Sequence, residues 1–443
     1  MIWLSEVRII EDINPPGRRA NVWRLATSVL WRVSAILLVA LPAIGQGFYL
    51  KDKDVVVFYG DSITDQRLYT AAAETFVLTR FPKLQVKFVH SGWGGDRVSG
   101  GGGGPIETRL KRDVLPYRPT VVTIMLGMND GRNRRLDDDL FNTFKTGYEK
   151  ILSMIRQESP ETRFTLIEPS PYDDVTRAPL FENGYNAVLV RYGEFVRDLA
   201  KRTNNSTSAD LNAGVLDMLH RAEAADPVNA KKIIPDRVHP AWAGHLIMAT
   251  ELLKAWNAPK LVTNVEIDAK EMAAITADKT AVSGLRELDD GVVWTQKDAA
   301  LPMPVPDQEP ATLLAVKSSD FMDRLNVQWL RVTGLAERQK FSLAINGLTV
   351  GEFTGGQLSG GMNLAKFDTP MMRQASQVLA WTVKRAAIHQ LRWRQLQIPY
   401  EKDGLPRLAS VLDNLDALDQ DLEARQHSAA RPSATYYELT PLK

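Results

Sequence analysis

Val55-Val56-Val57-Phe58-Tyr59-Gly60-Asp61-Ser62 is an unbroken apolar, β-branched run that stops abruptly in a glycine, a carboxylate and a hydroxyl. Such a run predicts a strand buried on both faces, the habit of strands in a parallel sheet. The chain around it keeps the same rhythm over residues 54–256. Residues 85–90, 120–126 and 163–168 read as further strands, the last stopped by Pro169 and Pro171. Helical patterns occupy residues 68–80, 140–157, 185–202 and 243–256. Strands alternating with helices predict an α/β domain built on a parallel sheet. Open sheets of that kind place their sites at the carboxyl ends of the strands.

Four short blocks fall at those ends. Gly60-Asp61-Ser62 would expose a serine at a strand-to-helix turn, although a helix N-cap serine looks the same. Gly92-Trp93-Gly94-Gly95-Asp96 follows the second strand, and its glycines allow a sharp turn that aims an N–H into a site. Gly127-Met128-Asn129-Asp130 ends the third strand. An asparagine amide there can donate to a developing oxyanion, which a carboxylate cannot do. Asp236-Arg237-Val238-His239-Pro240 precedes the last helix. A carboxylate three residues before a histidine can hold one ring nitrogen while the other faces a nucleophile. Each block alone is a weak signal, but together they supply the nucleophile, base, orienting acid and oxyanion donors that acyl transfer needs.

In this order the blocks resemble the SGNH hydrolases, the GDSL-type esterases and lipases. Ser62, Gly95, Asn129 and His239 stand at the four positions that name that family, and Asp236 matches its triad acid. Gly-Asp-Ser-Ile replaces the usual Gly-Asp-Ser-Leu, and His90 stands where the family often has asparagine. Pro169-Ser170-Pro171-Tyr172 also looks like the family. The resemblance covers residues 54–257 and implies a three-layer, flavodoxin-like SGNH-hydrolase domain that needs no cofactor or metal. It implies that Ser62, Asp236 and His239 are catalytic. The backbone N–H groups of Ser62 and Gly95, with the Asn129 amide, would form the oxyanion hole. Trp93 and Asp61 are the expected substrate contacts. No Gly-x-Ser-x-Gly surrounds Ser62, so the α/β-hydrolase elbow does not apply.

Composition narrows the alternatives. At roughly 150 residues per domain, 443 residues predict two to three domains. With 54 basic against 53 acidic side chains the net charge is +1, which carries no global footprint for nucleic acid. Cysteine is absent, which excludes disulfides, thiol catalysis and Cys-ligated zinc. The six histidines show no HExxH spacing, and His245 reads as structural. Asp137-Asp138-Asp139 reads as a solvated charged face, and Gly100 to Gly104 as a flexible surface loop.

Residues 1–45 read as a signal peptide or N-terminal anchor. Arg18, Arg19, Arg24 and Arg32 precede an apolar run over residues 33–43 and a small-residue site at Ala43-Ile44-Gly45. This predicts export to the periplasm or outside the cell, with membrane contact only if the segment is uncleaved. Residues 46–260 are the expected catalytic domain and 261–370 a β-rich accessory unit. Residues 371–443 are expected to form a helical segment, packed on the accessory unit or on the catalytic domain. Within the β-rich unit, Asn346-Gly347 between two apolar runs predicts a type I′ hairpin. Leu408, Leu412, Leu415, Leu418 and Leu422 predict a buried helix face. Trp294, Trp329, Trp381 and Trp393 fit a core better than a carbohydrate platform.

The functional expectation is an exported serine esterase taking a small-molecule or polysaccharide ester, with short acyl groups such as acetyl on carbohydrate. A lysophospholipase or lipase, an O-acyltransferase, and a non-catalytic carbohydrate-binding protein on the same scaffold are the alternatives.

Overall fold

The apolar run becomes β1 (Val55–Gly60), buried from Val56 onward. It lies between β2 (Lys87–Gly92) and β3 (Val121–Met125), and β4 (Arg163–Ile167) and β5 (Ser206–Ala209) extend the sheet. The computed structural model describes residues 47–443, so the segment read as a signal peptide or anchor lies outside the described residues. Every pairing in the sheet is parallel and the order is β2-β1-β3-β4-β5. This is the flavodoxin-like order, whose topological switch point lies between β1 and β3. Consecutive residues of β1 and β3 are buried, so helices cover both faces of the sheet.

Those helices include α1 (Ser62–Asp65), α2 (Leu68–Arg80), α3 (Ile106–Asp113), α4 (Asp138–Glu158), α5 (Gly184–Arg202), α6 (Leu211–Ala225) and α7 (Trp242–Ala255). The four helical stretches read from the sequence form as α2, α4, α5 and α7, while α1, α3 and α6 are not among them. The acidic run has a local job: the Asp137 side chain accepts from Leu140 N at 3.0 Å and caps α4, with Asp138 and Asp139 in its first turn. Carboxylates there also complement the helix dipole.

Beyond Pro259 the chain forms a β-sandwich. One sheet contains β6 (Leu261–Asp268), β7 (Ala273–Asp278), β10 (Val327–Thr333) and β13 (Met362–Asn363) in the order β13-β10-β6-β7. The other contains β8 (Thr280–Leu288), β9 (Gly291–Asp298), β11 (Lys340–Ile345), β12 (Leu348–Thr354) and β14 (Ala434–Pro441) in the order β8-β9-β14-β11-β12. Alternate residues point inward, and Val265, Ile267, Leu330 and Val332 of one sheet meet Leu343, Ile345, Tyr437 and Leu439 of the other. Trp294 stacks on Tyr437 at 4.9 Å in this core. Asn346 and Gly347 both have positive φ, 49° and 76°, as the type I′ turn requires.

The last 70 residues are not helical throughout. Two helices, α8 (Pro370–Gln390) and α9 (Leu408–Ala429), form a hairpin, and the chain then returns as β14 into the middle of the five-stranded sheet. The hairpin folds back on the α/β domain: α8 packs along α2, with Thr75 Oγ1 donating to Thr382 Oγ1 at 3.2 Å. All described residues belong to one compact unit. The leucine stripe of α9 is only half covered, and Leu418 is 42% exposed, because α9 is the outer helix of the pair.

Candidate active site

The turn after β1 leaves no room for side chains. A Cβ on Gly60 would stand 2.7 Å from the Met125 carbonyl, so β3 can approach β1 closely only at a glycine. Asp61 then caps α1, its carboxylate accepting from Ile63 N at 3.0 Å. Ser62 is the first residue of that helix.

The chain brings the fourth block to the serine from 177 residues away. His239 Nε2 lies 2.8 Å from Ser62 Oγ, and His239 Nδ1 lies 2.7 Å from Asp236 Oδ2. An ionised carboxylate can only accept, so Nδ1 carries the proton and the Nε2 lone pair faces the hydroxyl. The other Asp236 oxygen accepts from the N–H groups of His239 and Val238, at 2.7 and 3.0 Å. Partial burial works against this carboxylate. The hydrogen bonds from His239 and Val238 outweigh it and hold the Asp236 pKa below the ordinary carboxylate range.

Two groups that the sequence reading did not single out support this loop. Arg177 donates to the carbonyls of Ile234 and Pro235 at 3.1 and 2.8 Å, and to Asp173 at 2.7 Å. Gln66, just beyond α1, donates to the Pro240 carbonyl at 3.4 Å and accepts from His245 Nε2 at 3.0 Å. His245 Nδ1 accepts from Tyr69 N at 3.2 Å, so His245 is a neutral, buried connector. Burial pushes its pKa down to about 3.

The second and third blocks meet beside the serine turn. Gly95 has φ +75°, a left-handed conformation that favours glycine, and a Cβ there would meet no atom within 4 Å. Asn129 Nδ2 donates to the Asp96 carbonyl at 3.0 Å, which fixes the amide and leaves its second N–H available. Asp130 accepts from Val98 N at 3.1 Å and ties the two blocks together. The glycine run that follows is ordered rather than a free surface loop. Residues 100–101 pair with 104–105, and a Cβ on Gly103 would stand 2.6 Å from the Trp93 indole.

Asp61 and Trp93, read as substrate contacts, are both buried. Asp61 is 1% exposed and occupied by its cap, and burial raises its pKa to about 7. Trp93 is 9% exposed, edge-on to Trp393 at 5.8 Å and covered by the guanidinium of Arg394. Both are packing residues of the serine turn and its neighbouring loop. His90 is buried, with Nδ1 2.8 Å from Thr70 Oγ1 and Nε2 3.2 Å from Glu74 Oε2. It ties β2 to α2 and stands outside the serine–histidine–aspartate chain. No three His, Asp or Glu side chains among the described residues form a group that could hold a metal ion.

Residues 58–247 match the model of the GDSL-like lipase/acylhydrolase family. The acetylxylan esterase of Geobacillus stearothermophilus is 27% identical over 222 residues, which span 45% of this chain and 92% of that protein. The solved structure of a gut microbial diltiazem-metabolizing enzyme is 24% identical and has a TM-score of 0.75. The match covers 89% of this chain and 98% of that one. That likeness is one of fold, and it extends well beyond the α/β domain.

Proposed function

We propose that this chain, whose residues 58–247 match the model of the GDSL-like lipase/acylhydrolase family, is a carboxylic ester hydrolase in which Ser62, His239 and Asp236 carry the reaction through an acyl-enzyme. The observation that carries this reading is the unbroken chain from Ser62 Oγ to His239 Nε2 to Asp236, at 2.8 and 2.7 Å.

Ser62 Oγ attacks the ester carbonyl as His239 Nε2 takes its proton. Negative charge moves onto the carbonyl oxygen, where the N–H groups of Ser62 and Gly95 and the free N–H of Asn129 receive it. Fixed donors aimed at that charge need no reorganisation during the reaction. The ester C–O bond then breaks, and His239 gives its proton to the departing alkoxide. Water attacks the acyl-enzyme with His239 again as base, releasing the carboxylic acid and restoring Ser62. Asp236 holds the ring and stabilises the imidazolium.

The substrate we favour is a short acyl ester, acetyl on a carbohydrate. Its support is the acetylxylan esterase relative, which is matched along nearly its whole length. The basic and apolar segment before residue 46 supports export.

Turnover of aryl esters from acetate to decanoate, by the wild type and Ser62→Ala, tests this reading. We expect turnover that falls steeply beyond short chains and is absent in Ser62→Ala, whose fold is unchanged. Asn129→Ala should lose about 10²–10³ in kcat, the usual effect of removing one oxyanion donor. A preference for long chains would move the substrate to lipid. A folded wild type that neither hydrolyses any of these esters nor is labelled at Ser62 by a fluorophosphonate would overturn the assignment.

A further inference from the structure

The tip of the C-terminal hairpin departs from regular helix. Residues Leu391–Gln397 form a π-helical turn directly after α8. Pro399 gives this turn a physical cause: it has no N–H to donate, and its ring would clash with the carbonyl four residues back. Widened turns of this type re-aim side chains and recur at functional sites. Here the two re-aimed side chains are Trp393 and Arg394, and both reach the catalytic domain. Trp393 Nε1 donates to Asp113 Oδ1 at 2.7 Å, at the end of α3. The Arg394 guanidinium carbon stands 3.3 Å from the centre of the Trp93 ring, and its Nη1 lies 3.5 Å from Asp65 Oδ2.

Those contacts join two separate parts of the candidate active site. Asp65 closes α1, the four-residue helix that Ser62 begins. Trp93 lies two residues before Gly95, and its own N–H donates to the Gly60 carbonyl at 3.0 Å. One guanidinium therefore bears on the serine helix through charge and on the oxyanion loop through a planar stack. Arg109 supports the same loop from below. It donates to Asp96 at 2.7 Å and to the Ser91 carbonyl at 2.8 Å, with its guanidinium carbon 5.1 Å from the Trp93 ring.

We propose that Arg394 is a positioning residue for the esterase reaction, fixing the Trp93–Gly95 loop against the Ser62 helix from a hairpin some 300 residues further along the chain. The inference rests on the assignment of Ser62 and Gly95 above. It extends the working active site to the C-terminal segment: residues 54–257 hold the reacting groups, and the hairpin holds them in register.

Arg394→Ala and Arg394→Lys test this in the full chain. Misplacing a catalytic group by about 1 Å costs on the order of 10²-fold. We therefore expect Arg394→Ala to lose roughly 10- to 100-fold in kcat on an aryl acetate, with KM within about threefold of wild type. Lysine keeps the charge toward Asp65 but not the planar stack on Trp93, so Arg394→Lys should fall between the two. Amide exchange over residues 93–98 should quicken in Arg394→Ala. That readout holds whether or not an aryl ester is turned over, so a silent wild type counts against the assigned reaction and not against the positioning. A folded Arg394→Ala with wild-type kcat, or a defect confined to KM, would overturn the inference, as would unchanged exchange in the loop. If the alanine variant does not fold, Arg394→Lys with wild-type kcat and exchange would overturn it equally.

Discussion

Asp61 shows how much the serine turn asks of one side chain. Its carboxylate caps a helix of one turn, yet it is buried beside Ser62, and burial raises its pKa from 3.8 to about 7. Below about pH 4 it is protonated in both folded and unfolded chains. Between pH 4 and 7 the unfolded chain releases the proton and the folded one keeps it, so stability falls as pH rises. Full ionisation would cost on the order of 4 kcal/mol. Asp61→Asn retains an oxygen for Ile63 N and cannot ionise. Its melting temperature should therefore match wild type near pH 5 more closely than at pH 8, where it should lead by several degrees. Thermal unfolding at both pH values checks this, and a constant difference would show that folding does not shift the Asp61 pKa. Glu74 has the opposite sign. Burial there is outweighed by His90, Arg385 and Gln426, which hold its pKa low, so its contribution is lost as pH falls.

That carboxylate is also where two elements are joined. Glu74 lies on α2, and Gln426 on α9 donates to it at 2.8 Å while also donating to Thr382 of α8 at 2.6 Å. Arg385 of α8 stands 3.5 Å from the same carboxylate. Removing one member of a buried ionic cluster leaves the others uncompensated and costs about 3–5 kcal/mol. Glu74→Ala should lose that much in urea unfolding, and Gln426→Ala, which removes a neutral partner, only about 1–3 kcal/mol. Equal losses would mean that packing, not charge, sets the junction. None of this junction is legible in the sequence, because its members are separated by up to 352 residues. What was legible is local. The four blocks, the Asn346-Gly347 turn and helix α2 each declare themselves within a few residues. The strand β5 reads Ser206-Thr207-Ser208-Ala209, has no apolar run, and exists because β4 offers an edge to pair with. Trp93 read as a pocket aromatic because its partners, Trp393 and Arg394, are 300 residues away.

At the scale of the molecule the chain closes on itself. The sandwich begins at Leu261, sends out the hairpin that touches Asp65, Trp93 and Asp113, and is completed only by the last strand. β14 occupies the middle of the five-stranded sheet, paired with β9 on one side and β11 on the other. Tyr437 and Leu439 on that strand are fully buried, and each contributes on the order of 2–3 kcal/mol by burial alone. A chain ending at Ala430 would leave two strand edges open and uncover Trp294, Leu343 and Ile345. We expect such a chain to be cut readily by protease between residues 261 and 430. Its esterase turnover should also fall, although Ser62, Gly95, Asn129, Asp236 and His239 all remain, because α9 loses the strand that anchors it and Arg394 loses its support. Limited proteolysis and aryl acetate turnover, measured on the same preparation, read the two consequences together. A truncated chain as resistant and as active as the whole one would mean that the α/β domain holds its site without the sandwich. The hairpin would then be a neighbour of the active site and not a part of it.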